Sequence, residues 1–172
     1  MTAIANLQVR RARSDDAAQI AAIYNVHVRD TVATFELEGV DAAEMATRVS
    51  AVQGHGLPWL VACRGNVVLG YAYAAPWKPR AAYARTAESS IYLDPAIHGR
   101  GVGKRLYGEL IECVHATGMH ALIGGVALPN PASVALHEAL GFVQVAHFRE
   151  TGFKFGRWID VGYWQRLFDG AA

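Results

Sequence analysis

The segment His98-Gly99-Arg100-Gly101-Val102-Gly103-Lys104 has the residue types and spacing that point most directly to chemistry. Upstream, Glu88-Ser89-Ser90-Ile91-Tyr92-Leu93 combines β-branched and aromatic residues and is stopped by Asp94-Pro95, the pattern of a strand ending in a turn. Downstream, Val102, Leu106, Leu110 and Val114 recur at helical spacing, which puts Gly101 and Gly103 in the first turn of an amphipathic helix. The first amides of a helix have no partner within it, and the aligned peptide dipoles add partial positive charge there. Glycines let an anion reach that backbone without meeting a Cβ, and Arg100 and Lys104 add full charges. The chemistry expected is the holding of a pyrophosphate, as in a nucleotide-tailed cofactor. Spacing excludes two familiar loops. A Walker-type loop ending at Lys104 needs glycine where His98 stands and Ser or Thr where Arg105 stands. A dinucleotide fingerprint starting at Gly99 or Gly101 needs a third glycine at Lys104 or Leu106.

Two further groups can carry chemistry. In Asn130-Pro131-Ala132-Ser133-Val134-Ala135-Leu136-His137-Glu138-Ala139-Leu140-Gly141-Phe142, Asn130 suits an N-cap, Pro131 the first helical position and Gly141 the left-handed residue that ends a helix. Asn130 and His137 are about two turns apart, so both can project along one side of that helix, where His137 is either a packing residue or a functional one. On the strand before the glycine loop, Glu88, Ser90 and Tyr92 share one face, while Ser89, Ile91 and Leu93 share the other, where aliphatic side chains can enter the core. Position alone leaves Glu88 open between a solvated carboxylate, an ion-pair partner for Arg85 and a proton acceptor.

These residues must be positioned by alternating elements. Val9 begins a short strand, Ser14 can cap a helix carrying Ala17, Ile20, Ala21 and Tyr24, and Asp41 with Glu44 forms a capping-box pattern before a second helix. Strands are expected around Leu60 to Cys63, Val67 to Ala74, Glu88 to Leu93, Ala121 to Ala127, Phe142 to Phe148 and Trp158 to Gln165, with the Gly101 and Asn130 helices among them. The order β-α-α-β-β-β-α-β-α-β-β implies an α/β chain with a mixed central sheet and helices on both faces. With 172 residues, 52% of them hydrophobic, and no linker-like stretch, residues 1–172 are expected to form one domain. A formal net charge of +1 gives no general attraction to nucleic acid or an anionic membrane. No apolar run approaches the roughly 18 residues of a spanning helix, and the N-terminus lacks a signal-type core, so a cytoplasmic protein is expected. Cys63 and Cys113 fall inside regular elements and read as small apolar residues, with neither a disulfide nor a metal site expected.

The glycine loop and the Asn130 helix together resemble the cofactor loop and the Asn-x-x-Ala/Ser…Tyr-x-x-x-Gly-Phe helix of the GNAT N-acetyltransferase superfamily, with His98 where Gln or Arg is usual and His137 where tyrosine is frequent. The stretches Tyr73 to Tyr83, Thr86 to Tyr92, Leu128 to Asn130 and Gly156 to Gln165 are similar to phosphinothricin and methionine sulfoximine N-acetyltransferases, and the likeness runs from about Val9 to Phe168. This resemblance implies the GNAT fold, acetyl-CoA as co-substrate, the amine of a small amino-acid-like compound as acceptor, and a homodimer. It implies CoA contacts at Ile91, Tyr92, Leu93, Gly99, Arg100, Gly101, Val102, Gly103, Lys104, Asn130 and Ser133. It also implies Glu88 and His137 in the catalytic region.

An amine that is mostly protonated at neutral pH cannot attack a thioester, so the site must remove a proton, and Glu88 is the candidate base. A carboxylate beside apolar strand residues has the raised pKa that suits this task. The departing thiolate benefits from a proton or hydrogen bond, which His137 can supply when an N–H faces sulfur; its basicity equally allows a part in amine deprotonation. Lys78 and Arg80 sit among aromatic residues, with Tyr83 beyond, and Arg can grip a carboxylate or phosphinate with two parallel hydrogen bonds; both cations can equally be solvated loop charges. The resemblance implies Phe35 as a wall of the acceptor pocket, while its position equally fits a core aromatic connecting helices; Lys154 and Arg157 read as surface charges or as the border of the opening. Besides an N-acetyltransferase for this acceptor class, two readings stay open: acetylation of another small amine or a protein N-terminus, and a non-catalytic acyl-CoA-binding module.

Overall fold

A computed structural model describes residues 6–97 and 99–169, so the expectation attached to His98 lies outside the described residues. The elements run β1 (Gln8–Arg11), α1 (Ala17–Asp30), α2 (Ala42–Gly54), β2 (Trp59–Arg64), β3 (Val67–Pro76), β4 (Thr86–Leu93), α3 (Val102–Ala116), β5 (Ala121–Leu128), α4 (Pro131–Ala139), β6 (Val143–Lys154) and β7 (Arg157–Leu167), in the order that the sequence predicts. They form a seven-stranded sheet in the order β1-β2-β3-β4-β5-β7-β6. Every neighbouring pair is antiparallel except β4 and β5, whose parallel pairing needs a crossover, supplied here by α3.

Strand alternation builds two cores. Trp59, Val61, Tyr71 and Tyr92 face α1 and α2, where Ile20, Tyr24, Met45 and Val49 meet them. Leu60, Ala62, Ala72, Ala74, Ala87, Ile91 and Leu93 face α3, which presents Val102, Leu106, Tyr107, Leu110 and Val114. The expected division of β4 therefore holds: Tyr92 packs on one side of the sheet, and Ile91 and Leu93 pack on the other.

Three local expectations are corrected. Ser14 does not cap α1; Ser14–Asp16 is a 3-10 turn, and the Asp16 carboxylate holds the chain there by accepting from the Arg13 amide at 2.8 Å and from the Arg10 guanidinium at 2.7 and 2.8 Å. Strand β6 runs on to Lys154 instead of stopping at Phe148, because pairing with β7 resumes at Gly152 after an irregular stretch that contains Glu150 at φ 53°. Lys154 is not a surface charge and is not among the residues lining the cleft at the β4–β5 fork: it is 3% exposed, and its ammonium donates to the Thr34 carbonyl at 2.8 Å.

The feature that makes a site is the short length of the parallel pairing. Strands β4 and β5 are in register only from Thr86 opposite Ala121 to Ser89 opposite Gly124. Beyond that point β4 stays bonded to β3 and β5 to β7, so the two strands diverge as a fork. Ser90–Leu93 and Gly125–Leu128 lose each other as pairing partners; apart from the Leu93 carbonyl, which meets His27 Nε2 at 2.8 Å, peptide groups released in this way are open to water or a ligand.

Candidate active site

The fork opens into a cleft of about 360 Å³. Ser89 to Leu93 form one wall, Gly125 to Ala127 another, and the start of α3 and the first turns of α4 complete it. Of the expected CoA contacts, Ile91, Tyr92, Leu93, Gly99, Gly101, Gly103, Lys104, Asn130 and Ser133 border the cleft. Arg100 is exposed outside that lining, and the Val102 side chain is 1% exposed in the core under α3, leaving only its backbone to face a ligand.

The glycine loop is built differently from the expectation in one respect. Gly99 and Gly101 both adopt left-handed backbone, at φ 73° and 78°, and Gly101 is the N-cap of α3 instead of part of its first turn. The first helical bond there runs from the Arg105 amide to the Gly101 carbonyl at 3.2 Å, so the amides of Val102, Gly103 and Lys104 come before it and point out of the helix end. Gly103 lies where α3 presses on β4: a Cβ there would stand 3.0 Å from Leu93 Cδ1, a tight contact that the leucine must give way to. On α4 the expected cap is present, with Asn130 Oδ1 accepting from the Ser133 amide at 3.1 Å, Pro131 in the first turn and Gly141 at φ 82°.

Glu88 and His137 lie on opposite faces of the sheet. Gly124 and Gly125 point to opposite sides of β5; a Cβ on Gly125 would stand 3.6 Å from Glu88 Oε1, and one on Gly124 would run into His137 Nε2. Glu88 is half-buried, and burial raises its pKa against the lowering pull of the Lys78 ammonium. An ion pair with Arg85 is not formed, because that guanidinium donates to the Gly118 carbonyl at 3.2 and 3.3 Å. Tyr163 lies beside Glu88, its phenol pKa raised by burial and by the carboxylate. Its ring meets Trp77 and Phe148 edge-on, and Lys78 sits 5.0 Å over the Trp77 ring.

His137 is 3% exposed, and both of its ring nitrogens are engaged. Nδ1 lies 2.8 Å from the Ser133 carbonyl, which can only accept, so Nδ1 carries the proton. Nε2 then accepts from the Tyr107 hydroxyl at 3.0 Å. Burial lowers the His137 pKa, opposed by the bond to Ser133, which favours the neutral ring. The simple expectation of an N–H aimed from His137 at sulfur is thus corrected: its only proton belongs to Ser133.

Of the residues expected to hold the acceptor, only Lys78 is brought electrostatically to Glu88. Arg80 and Tyr83 stand exposed on the turn between β3 and β4. Phe35 is turned against Gly152 of the β6–β7 hairpin, while its neighbour Ala33 borders the cleft. Sequence reasoning missed His27, Ser89, Tyr107 and Tyr163. His27 lines the cleft and bonds the Leu93 carbonyl at 2.8 Å; it is the next step of the α1 stripe after Tyr24 and could have been found by extending that spacing. Tyr107 occupies the apolar stripe of α3, where its hydroxyl is the one sign of another role.

Residues 9–162 match the acetyltransferase (GNAT) domain. The chain is 46% identical to a phosphinothricin N-acetyltransferase of Alcaligenes faecalis over 159 residues, covering 92% of this chain and 81% of that one. It is 36% identical to an L-methionine sulfoximine/L-methionine sulfone acetyltransferase of Salmonella typhimurium, covering 95% of each. The fold superposes on a phosphinothricin acetyltransferase of Sinorhizobium meliloti in complex with acetyl-CoA with a TM-score of 0.91 at 40% identity, over 95% of this chain and 89% of that one.

Proposed function

The chain belongs to the GNAT acetyltransferase family, and on that premise we propose that it moves the acetyl group of acetyl-CoA directly onto the amine of a small anionic amino-acid-like acceptor of the phosphinothricin or methionine sulfoximine type. The observation that carries this reading is the fork: the unpaired edges of β4 and β5 run from the amide-rich end of α3 to Gly125, beside which the Glu88 carboxylate stands, so that an anion-holding end faces a proton-accepting one. In this reading the pyrophosphate lies against the amides of Val102, Gly103 and Lys104, the pantetheine arm bonds the open strand edges, and Glu88 takes a proton from the acceptor ammonium. The neutral amine then attacks the thioester carbon, and the carbon–sulfur bond breaks. Cys63 is 1% exposed and Cys113 is half-buried in α3, which favours direct transfer over an acetyl-cysteine intermediate. Lys78 beside the carboxylate, and Arg80 on the adjoining turn, favour an acceptor that itself carries a negative group. A cytoplasmic homodimer goes with this reading.

The test is a panel of amines incubated with acetyl-CoA and followed by free-thiol release. Phosphinothricin and methionine sulfoximine are expected to turn over with intersecting initial-rate lines. Turnover confined to peptide N-termini would replace the acceptor class, and acetyl-CoA binding without thiol release from any amine would make the protein a binding module.

A further inference from the structure

Converting an ammonium into an amide takes two protons off nitrogen, one before attack and one after, while the departing sulfur gains one. Glu88 accounts for the first of these. On the opposite face of the sheet a buried chain of hydrogen bonds ends at the root of the fork. Ser89 is the last residue of β4 that pairs with β5, and this buried residue is part of the cleft lining. Its Oγ lies 2.8 Å from Tyr107 Oη, and Tyr107 Oη lies 3.0 Å from His137 Nε2. His137 Nδ1 is anchored on the Ser133 carbonyl. Ser89 Oγ also lies 3.2 Å from the Ile123 carbonyl, but Tyr107, with its own proton on His137, needs a donor at 2.8 Å, so the Ser89 proton goes to Tyr107 in preference to the more distant carbonyl and the protons point the same way, toward the imidazole lone pair. Such an arrangement accepts a proton at Ser89 and stores it on His137.

We propose that Ser89, Tyr107 and His137 form a proton relay that takes the second amine proton and returns it to sulfur. After attack, an N–H bond of the new ammonium breaks as Ser89 Oγ takes its proton, Ser89 passes its own proton to Tyr107, and Tyr107 passes its own to Nε2, giving imidazolium. As the carbon–sulfur bond breaks, the same shifts run backward, an S–H bond forms, and the relay regains its resting state. Overall, one proton leaves through Glu88 and one ends on the thiol, so charge and atoms balance.

The surroundings are built for this chain. Tyr107 is fully buried and burial raises its pKa, which keeps the hydroxyl protonated as a link. Phe142 packs against both the Tyr107 and His137 rings, and Trp164 lies beside His137. The nearby Glu138 carboxylate accepts from Trp164 Nε1 at 3.4 Å. The missing Cβ of Gly124 lets the imidazole lie against β5. Ser89 touches the site; Tyr107 acts through Ser89 and His137 as a positioning residue.

This inference rests on the acetyltransferase reading, and the experiment separates the two. With the wild-type enzyme and an accepted amine, a proton inventory of kcat in mixed water and deuterium oxide is expected to be curved, as several protons move together. Tyr107→Phe keeps the ring but removes the link, and should lower kcat by roughly tenfold or more and straighten the inventory while acetyl-CoA affinity stays within about twofold. Ser89→Ala should do the same from the other end of the chain. Nitrogen NMR of the wild-type protein, which needs no variant to fold, should find His137 neutral with its proton on Nδ1. An Nε2–H tautomer, or unchanged kcat and inventory in both variants, would overturn the relay and leave the acetyltransferase reading standing. A wild type that releases no thiol with any amine would defeat both.

Discussion

Glu88 is held half-buried on β4 beside Tyr163, where burial raises its pKa with Lys78 pulling the other way. A carboxyl group with a raised folded-state pKa favours folding while it is protonated, and that contribution is lost as pH rises through the raised value. At neutral pH the charged form therefore weighs against the fold, and Glu88→Gln should leave the melting temperature equal or higher while turnover falls roughly 10²-fold or more. The wild-type rate should decline as pH drops through the raised Glu88 pKa, and the deficit of the glutamine variant should shrink at high pH, where more amine arrives deprotonated. Thermal unfolding and a pH series of kcat/KM check this; a variant that keeps wild-type turnover throughout would remove Glu88 as the base. Alternation along β4 made the facing of Glu88 legible in the sequence, since consecutive strand residues point to opposite sides. The link between His137 and Tyr107 was not legible, because it joins positions 30 apart through packing of α3 on α4, and a tyrosine in an apolar stripe reads as core.

The start of α3 shows how an element can be read correctly for an incomplete reason. Helical spacing located it, yet the spacing says nothing of the left-handed backbone at Gly99 and Gly101, or of Leu93 filling the space beside Gly103. Strand β6 is longer than its sequence pattern predicts, because His147-Phe148-Arg149-Glu150-Thr151 lacks alternation and only the partner strand restores pairing beyond it. The backbone at Gly101 gives a test. Asn tolerates the left-handed region, whereas a β-branched residue there is strained by about 1–2 kcal/mol, which corresponds to roughly a five- to thirtyfold loss of affinity if binding must restore that conformation. Gly101→Val should therefore weaken acetyl-CoA binding more than Gly101→Asn in calorimetry, with circular dichroism unchanged in both. Equal losses would mean that room for the ligand, and not the backbone conformation, is what the glycine provides.

At the scale of the whole molecule, β6 is an edge strand: one side is bonded to β7, and the other has no strand partner among the described residues. Val143, Val145 and Phe148 along it are 67%, 56% and 52% exposed, and Phe153, Phe155 and Trp158 at the hairpin are each more than half exposed. An open edge with large apolar side chains invites pairing with another chain, and the homodimer proposed above supplies a second copy to cover it. The same hairpin grips the segment between α1 and α2, through Lys154 on the Thr34 carbonyl and Gly152 under Phe35, and that segment reaches the cleft at Ala33. Covering the edge should therefore steady the acceptor end of the site as well as hide apolar surface. Val145→Lys places a charge on the edge without disturbing a buried residue, since Val145 is exposed. Sedimentation should find the wild type at twice the chain mass at micromolar concentration and the variant at the chain mass, with folding intact by circular dichroism. The variant should show a raised KM for the acceptor amine and a nearly unchanged affinity for acetyl-CoA, whose loop lies at the start of α3. A wild type that sediments as a monomer over the whole concentration range would rule out the dimer, and a monomeric variant with an unchanged acceptor KM would separate the edge from the site.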